Sequence, residues 1–378
     1  MREHVKLAHK KKGLVNAFVT VEDGLISCIE ETDKEAQLLM LPGFIDIHTH
    51  GAAMIDVNHI SSRDDIEKLS RFYASHGVTS FLLSVMTDTK DKMRALMKTF
   101  SSVLSSPAPA AQIIGIHLEG PFLCQEYKGA MPPELILPGD YEFFRELMEL
   151  SGGRVKYITI APEAEGNMEL IRKIRTETDV VISMGHSAAD YDTAITAVES
   201  GVTSATHLFN AMKLFHMHRP AVSGASLERD EVYTEIICDG FHLHPAAVRL
   251  IIRTKGCKKV VCITDSIMAA GLPGGMYKLG VNDVIVGDDG DAKLPDGVRA
   301  GSTLTLDRAM RNLRSFTDCS WYEISRMLSS NQAKLLNLRD RGKIAEGRRA
   351  DYCLISPDNE VVRTVVRGKT LFQSQEVE

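Results

Sequence analysis

Six side chains of the types that bind metal ions lie at the ends of apolar runs in this chain. They are His48, His50, Glu119, His186, His207 and Asp265. The runs that they end are typical of buried β-strands, and the spacing between runs is that of a repeating strand–helix unit. If the strands are parallel neighbours, the six polar ends meet at one rim. Imidazole and carboxylate at a common rim predict a site for a divalent metal ion.

Eight apolar runs supply the strands of this prediction. Each is short and rich in Val and Ile, as parallel strands buried on both faces are. The runs are 43–50, 79–85, 113–120, 155–163, 180–187, 204–211, 233–242 and 259–266. Segments with helical spacing lie between most of them, at 64–76, 90–104, 141–150, 165–178 and 188–200. The pattern predicts an α/β protein with a TIM-like (β/α)8 barrel over 43–340, a fold that carries its chemistry at the C-terminal ends of the strands.

The two ends of the chain have a different pattern. Short alternating runs at 16–21 and 24–30 flank the turn dipeptide Asp23-Gly24, and similar runs return at 351–355 and 361–372. We expect 1–42 and 341–378 to pair into a small β-sandwich domain. The segment 277–299 contains two turn signals and predicts an inserted β-hairpin, and 302–315 and 320–338 are predicted to be helices that close the barrel.

Composition limits the remaining classes of protein. The chain has 378 residues, 44% of them hydrophobic and 25% charged, which is ordinary for a globular protein. No run approaches the roughly 20 apolar residues of a membrane span, and the polar N-terminus predicts a cytoplasmic protein without a membrane partner. A net charge of −6 gives no attraction for nucleic acid. Seven cysteines without a Cys-x-x-Cys pair argue against a disulfide framework and a thiolate zinc site.

Each candidate ligand also has a plainer explanation. His48 and His50 could be unrelated, Glu119 could cap a turn, and single histidines are often hydrogen-bonded in a core. Residues i and i+2 of a strand share a face, however, and neutral imidazoles at successive strand ends suit zinc or iron. Asp265 ends the eighth run, where it can touch both a metal-bound water and a substrate, so we predict that it is the general base and acid.

Nine motifs extend these observations over the whole chain. They are PGFIDIHTHG at 42–51, HLEGPF at 117–122, KGA at 128–130, GHS at 185–187, THLFNAM at 206–212, DGFH at 239–242, TDS at 264–266, AGSTL at 300–304 and GKIAEGRRAD at 342–351. Together they resemble the amidohydrolase superfamily and, within it, the N-acetylglucosamine-6-phosphate deacetylase family. The resemblance implies metal-dependent removal of an acetyl group from a phosphorylated amino sugar.

The resemblance also implies roles for individual residues. It places one divalent metal, zinc or iron, on Glu119, His186 and His207, and a second site, filled in only some members, near His48 and His50. Strand four ends in Ala161-Pro162-Glu163 and lacks the superfamily's bridging carbamylated lysine. Glu119 is then the implied bridge between the two sites. Family members bind substrate at the positions of Ala130, Met131, Asn210, Ala211, His218, Arg219, His242, Arg299, Ala300 and Gly301.

Two positions depart from the family pattern. The family's phosphate-binding arginine, which often reaches in from the other subunit of a homodimer, falls at His218, with Arg219 one residue later. Met131 replaces a His or Gln and cannot donate a strong hydrogen bond. Arg219 in the loop at 215–220 is therefore expected to bind phosphate, or the substrate is a related N-acyl amino sugar, such as N-acetylgalactosamine-6-phosphate or an unphosphorylated one.

Two other classes of function stay open at this point. One is a hydrolase or deaminase of cyclic amides or nucleobases on the same barrel, which the motifs around Asn210 and His242 disfavour. The other is a binding protein that is stabilised by metal but does not catalyse, which the intact Asp265 disfavours.

Overall fold

Residues 1–375 are described in the computed structural model of this chain. The strands are β1 (Arg2–His9), β2 (Gly13–Glu22), β3 (Leu25–Glu31), β4 (Leu39–Pro42), β5 (Phe44–Asp46), β6 (Gly51–Ala52), β7 (Ile55–Asp56), β8 (Val78–Met86), β9 (Gln112–Glu119), β10 (Val155–Ile160), β11 (Val181–Met184), β12 (Ser204–Ala205), β13 (Tyr233–Ile237), β14 (Val260–Ile263), β15 (Gly275–Leu279), β16 (Asn282–Val286), β17 (Ala292–Lys293), β18 (Tyr352–Ile355), β19 (Val361–Val366) and β20 (Lys369–Gln373). The α-helices are α1 (Arg63–Ser75), α2 (Lys90–Val103), α3 (Tyr141–Leu150), α4 (Asn167–Glu177), α5 (Tyr191–Glu199), α6 (Ala221–Glu228), α7 (Pro245–Lys255), α8 (Leu306–Phe316), α9 (Trp321–Ser325) and α10 (Asn331–Leu335).

The predicted barrel is confirmed. Eight strands pair side by side in the order β5, β8, β9, β10, β11, β12, β13 and β14, each parallel to its neighbours. Just beyond the first and last strands, the amide of Asp265 donates to the carbonyl of His48 (2.9 Å) and the amide of His50 donates to the carbonyl of Ser266 (2.7 Å). These bonds close the barrel at the place where three candidate ligands occur.

Several strands are shorter than the apolar runs that predicted them. The first ends at Asp46, the sixth consists of Ser204 and Ala205 alone, and the seventh ends at Ile237. His48 and His50 therefore lie in irregular backbone beyond the end of β5. The prediction that they point to the same place is correct, but the reason given for it, their alternation along a strand, is wrong. An apolar run records burial, which continues past the last ladder hydrogen bond.

Both ends of the chain join one seven-stranded sheet, as predicted. Its order is β20-β19-β18-β4-β1-β2-β3, so that β4, which leads into the barrel, pairs with the N-terminal β1 and the C-terminal β18. Val5, Val19, Ile26 and Tyr352 form part of its buried core. Strand β1 was not predicted because five of its eight residues are charged or histidine.

Two predictions for the remaining segments need correction. The insertion near 277–299 is a three-stranded sheet, because β17 adds to the β15–β16 hairpin. The helix predicted from residue 302 begins at Leu306, and the one predicted at 320–338 is α9 and α10 joined by a π-helical turn, Arg326–Ser330. Within residues 1–375, no helix is long and apolar enough to cross a membrane.

Candidate active site

Glu119, His186 and His207 meet in a first group of ligand atoms, although they come from three different strand ends. The Oε1 atom of Glu119 lies 3.2 Å from the Nε2 atoms of both histidines, and those two nitrogens lie 3.1 Å apart. All three side chains are almost completely buried. A carboxylate oxygen and two imidazole nitrogens that converge on one point are a three-ligand set of the kind that holds a catalytic zinc ion.

His48, His50 and Asp265 form a second group beside the first. The Nε2 atoms of the two histidines lie 3.2 Å apart, and Oδ1 of Asp265 lies 3.2 Å from His50 Nε2 and 3.5 Å from His48 Nε2. Glu119 lies between the groups, with Oε1 at 3.2 Å from His48 Nε2 and Oε2 at 3.2 Å from His50 Nε2. This placement suits the bridging position that the family resemblance implies for Glu119.

The hydrogen bonds around the imidazoles fit a metal ion. Nδ1 of His50 contacts the carbonyl of Ser84 (3.1 Å) and Nδ1 of His186 contacts the carbonyl of Tyr127 (3.0 Å). A carbonyl can only accept, so each Nδ1 carries a proton and each Nε2 is the ring atom that faces the centre. A cation would bind these Nε2 atoms and the carboxylate oxygens among them in place of protons, and these donor types suit zinc or iron.

The local charges also favour a cation. Burial by itself would raise the pKa of Glu119, but His48 and His50 outweigh it and hold that pKa well below its usual range. Burial opposes charge on His50, yet Glu119 and Asp265 raise the pKa of His50 to about 9. Both shifts arise because carboxylates and imidazoles lie within 3.5 Å of one another in a water-poor site.

Unusual backbone conformations direct three of the ligands inward. His186, His207 and Asp265 have φ angles of 48°, 31° and 51°, a left-handed region that side chains larger than glycine seldom adopt. Such strain concentrates at functional sites, where the surrounding structure enforces it. Gly129 contributes from the opposite side, because a Cβ atom there would lie 3.0 Å from the His186 ring.

Glu235 is a buried partner of the ligands that sequence reasoning missed. Its Oε2 atom lies 3.1 Å from Nδ1 of His48 and accepts from the amide of His207 at 3.1 Å, and its Oε1 atom accepts from the Tyr157 hydroxyl at 2.6 Å. One carboxylate thus orients a residue of each ligand group. The available signal was a single glutamate in the middle of the otherwise uncharged β13, a buried position where a charge needs a partner.

We expect Glu235→Gln to lower metal affinity about 10–100-fold, because it removes the carboxylate that fixes the His48 ring. Competition titration with a chromogenic chelator measures this loss. Glu231→Gln, a change at an exposed carboxylate two residues before β13, is the matched control. Equal metal affinity in the two variants would show that Glu235 does not orient the ligands.

A cavity of about 440 Å³ opens directly over the ligand atoms. Eight of the ten predicted substrate-binding residues line it: Ala130, Met131, Asn210, Ala211, His242, Arg299, Ala300 and Gly301. The amide of Asn210 is used within the loop, donating to the carbonyl of His207 at 2.9 Å. Met131 is buried in the cavity wall with Leu279, so its side chain contributes an apolar surface there.

Asp239 fixes the orientation of His242 in the cavity. Its Oδ2 atom lies 2.6 Å from Nδ1 of His242, and its Oδ1 atom accepts from the His242 amide at 2.8 Å. Burial opposes a charge on His242, but Asp239 outweighs it and raises the pKa of that imidazole. The motif at 239–242 did not predict this role for Asp239, because nothing in the sequence shows that its carboxylate contacts the imidazole ring of His242.

The rim of the cavity carries more positive than negative charge. Lys293 and Arg299 both line the cavity and both pair with Asp291, at 2.7 Å and 2.9 Å. Lys293 was not among the predicted residues. The other two predicted substrate residues, His218 and Arg219, are exposed on a loop that does not line the cavity of its own chain.

Glu163, the last residue of the fourth predicted run, supports a neighbouring loop. Its carboxylate accepts from the Ser187 hydroxyl at 2.7 Å and from the Ala188 amide at 2.5 Å. It therefore supports the loop that follows the candidate ligand His186.

Comparison with known proteins agrees with the geometry. Residues 39–371 match the amidohydrolase family. The chain is 37% identical to N-acetylglucosamine-6-phosphate deacetylase of Bacillus subtilis, covering 99% of this chain and 97% of the relative. It is 32% identical to N-acetylgalactosamine-6-phosphate deacetylase of Escherichia coli O157:H7, covering 92% and 93%. The crystal structure of N-acetylglucosamine-6-phosphate deacetylase from Thermotoga maritima superposes with a TM-score of 0.92 at 35% identity, covering 99% of this chain and 100% of that one.

A barrel with this convergence of imidazole and carboxylate defines a metal-dependent hydrolase of the amidohydrolase type. The chain belongs to the amidohydrolase family, as the match over 39–371 shows.

Proposed function

We propose that this chain is an enzyme that removes the acetyl group from N-acetylglucosamine-6-phosphate, yielding glucosamine-6-phosphate and acetate. The observation that carries the proposal is the meeting of six candidate ligand side chains, five of which line the floor of a cavity. The Bacillus subtilis and Thermotoga maritima relatives, which cover nearly the whole chain, support this substrate.

The protein side chains have separable tasks in this reaction. Glu119, His186 and His207 would hold a divalent ion, which when bound lowers the pKa of a coordinated water from 15.7 toward about 7 and polarises the acetamide carbonyl. Asp265 accepts the proton of the attacking water and later donates it to the leaving amine. Its pKa is held down by His48 and His50 against the opposing effect of burial, so it begins the reaction as the base.

The residues of the cavity walls orient the substrate. His242, held by Asp239, presents its Nε2 atom for a sugar hydroxyl, and the loop of Asn210 and Ala211 borders the phosphate end. Met131, buried beside Leu279, offers the sugar an apolar contact. Lys293 and Arg299 share one carboxylate, so their surplus positive charge attracts a phosphorylated sugar.

The second ligand group extends the proposal to two metal ions per chain. His48, His50 and Asp265 offer three ligand atoms, Glu119 lies between the groups, and zinc or iron suits these donors.

We also propose that residues 1–42 and 341–378 form a domain separate from the barrel at 43–340. A cytoplasmic location suits the seven unpaired cysteines.

Acetate release from the purified protein tests the function. We expect turnover of N-acetylglucosamine-6-phosphate that is lost on treatment with a chelator and restored by zinc or iron. N-acetylgalactosamine-6-phosphate, unphosphorylated N-acetylglucosamine and dihydropyrimidine belong in the same panel, compared by kcat/KM. A preference for the galactosamine phosphate, which the Escherichia coli relative acts on by its name, would change the sugar but keep the chemistry. Absence of turnover with all four compounds by metal-loaded protein would refute the proposal.

The exposed loop at 215–220 supports a homodimer in which each subunit completes the other's site. Leu214, Phe215 and Met217 have 76%, 51% and 77% of their surfaces exposed, beside the exposed Arg219. Contiguous exposed apolar side chains mark a contact surface. We propose that this loop packs on a second copy of the chain and that Arg219 contacts the substrate phosphate there.

We expect Arg219→Ala to raise KM for the phosphorylated sugar and to leave an unphosphorylated analogue nearly unchanged, because only the phosphate contact is lost. Arg253→Ala, at an exposed site near the end of α7, is the matched control. Mixing Arg219→Ala with Asp265→Asn subunits should restore part of the activity, since one mixed site combines an intact Asp265 with an intact Arg219. Equal KM changes for both substrates would show that Arg219 only supports the loop.

A further inference from the structure

Cys257, Cys319 and Glu323 form a third cluster of ligand-type side chains, away from the barrel mouth. One ligand atom from each lies within 4.8 Å of the other two. Cys257 follows the end of α7 at the turn into β14, and Cys319 and Glu323 flank the start of α9. The two cysteines are 62 residues apart in the chain, so their spacing does not predict that they meet. The absence of a Cys-x-x-Cys pair led to the prediction that the chain has no thiolate site.

The carboxylate of Glu323 is already oriented toward the thiols. Its Oε2 atom accepts from the amide and the hydroxyl of Ser320, both at 2.8 Å, in the capping box of α9. Its Oε1 atom is left for Cys257, whose Sγ atom lies 3.2 Å away. A carboxylate held on one oxygen by outer partners, with the other oxygen turned to the centre, is the arrangement that orients metal ligands.

The backbone around the cysteines is fixed by similar contacts. The carbonyl of Cys257 accepts from Asn331 Nδ2 at 2.8 Å, and the amide of Cys319 donates to the hydroxyl of Thr317 at 3.3 Å. Cys319 is buried, and Cys257 is partly exposed. The cluster is therefore held in place on each side and can be reached from solvent through Cys257.

The donor atoms of this cluster suit a bound cation. Two sulfur atoms and a carboxylate oxygen face one another, and the thiol of Cys257 donates to Glu323 Oε1. When a metal ion displaces the thiol protons, two thiolates and a carboxylate form a soft donor set that selects zinc over magnesium or calcium.

We propose that Cys257, Cys319 and Glu323 bind a thiophilic divalent ion of the zinc class, separate from the ions of the barrel centre. The bound ion links the end of α7 to the start of α9. Helix α7 packs on β14, the strand that leads to Asp265, whereas α9 packs on α8 and on β1 and β2 of the terminal sheet. We assign the site no part in the reaction, because none of its three residues lines the cavity over the barrel ligands.

Cobalt absorption distinguishes this site from the barrel centre, whose ligands include no sulfur. We expect Co²⁺, added to the full-length protein under a non-thiol reductant, to give a near-ultraviolet thiolate-to-cobalt charge-transfer band that saturates at one ion per chain. The band should be lost in Cys257→Ser and in Cys319→Ser and retained in Cys28→Ser, a change at a partly exposed cysteine of β3. Glu323→Gln, which keeps both sulfurs and an acceptor for Ser320, should keep the band but require more cobalt.

Two results would overturn the proposal. One is the absence of a charge-transfer band at cobalt concentrations that restore deacetylation to chelator-treated protein. Such a result, together with a Cys257–Cys319 disulfide on exposure to air, would show that the two thiols form a disulfide bond instead of binding a metal ion. The other is a band of equal intensity in the Cys257→Ser variant, which retains the fold if its deacetylase activity is unchanged.

Discussion

Asp265→Asn is expected to lower kcat by about 10²–10⁴-fold, the usual contribution of a positioned general acid–base group. The amide keeps an oxygen close to His48 and His50 but cannot take up or deliver the proton that moves between water and amine. We therefore expect KM for N-acetylglucosamine-6-phosphate to change little, because no sugar contact is removed. Steady-state kinetics with acetate detection, alongside elemental analysis of the variant, measures both quantities.

The metal content decides how the Asp265→Asn result is interpreted. A variant that keeps its metal and loses kcat has lost proton transfer, whereas one that loses metal has lost a ligand. Asp283→Asn, an exposed carboxylate on β16 that pairs with Lys278, is the matched control and should behave as the unmodified protein. An unchanged kcat at unchanged metal content would exclude Asp265 as the acid and base.

Glu119→Gln is expected to remove most of the bound metal and nearly all activity. The carboxylate is within 3.2 Å of ligand atoms in both groups, so one substitution affects both sites. Losing only an outer-shell partner costs about 10–100-fold in metal affinity, and losing a shared ligand should cost more. Elemental analysis after dialysis and acetate release after metal addition report the two effects.

Comparison with Glu163→Gln makes the Glu119 result specific. Glu163 is another carboxylate near the ligands, but it binds the Ser187 loop rather than the imidazoles. We expect Glu163→Gln to keep its metal and to lose less activity than Glu119→Gln. Two metals retained in Glu119→Gln would contradict a bridging position for this residue.

Residue types and spacing were enough to predict the barrel and the six candidate ligands. Parallel strands that are buried on both faces must be apolar along their length, so a polar residue that ends such a run stands out. The C-terminal ends of parallel strands in a barrel share one rim, and this geometry brings Glu119, His186, His207 and Asp265 together once the strand order is known. His48 was predicted as a ligand for a reason that the short first strand does not support.

Long-range partners could not be predicted, since each depends on where two distant segments meet. Glu235 touches His48 and His207, which lie 187 and 28 residues away along the chain. The hydrogen bonds that close the barrel join residues more than 200 positions apart, and Cys257 meets Cys319 although β14 to β17 and α8 lie between them in the chain. The left-handed backbone at Asp265 is equally invisible, because it is imposed by packing rather than by local preference.

The sequence by itself therefore determined the alternation of strands and helices and the kinds of side chain available at one rim, because burial and hydrogen-bonding chemistry act residue by residue. Only the tertiary structure decided which of these side chains lie close enough together to share a proton or a metal ion. Hydrogen bonds and coordination require positions within about 3 Å, and such positions follow from the packing of the whole chain.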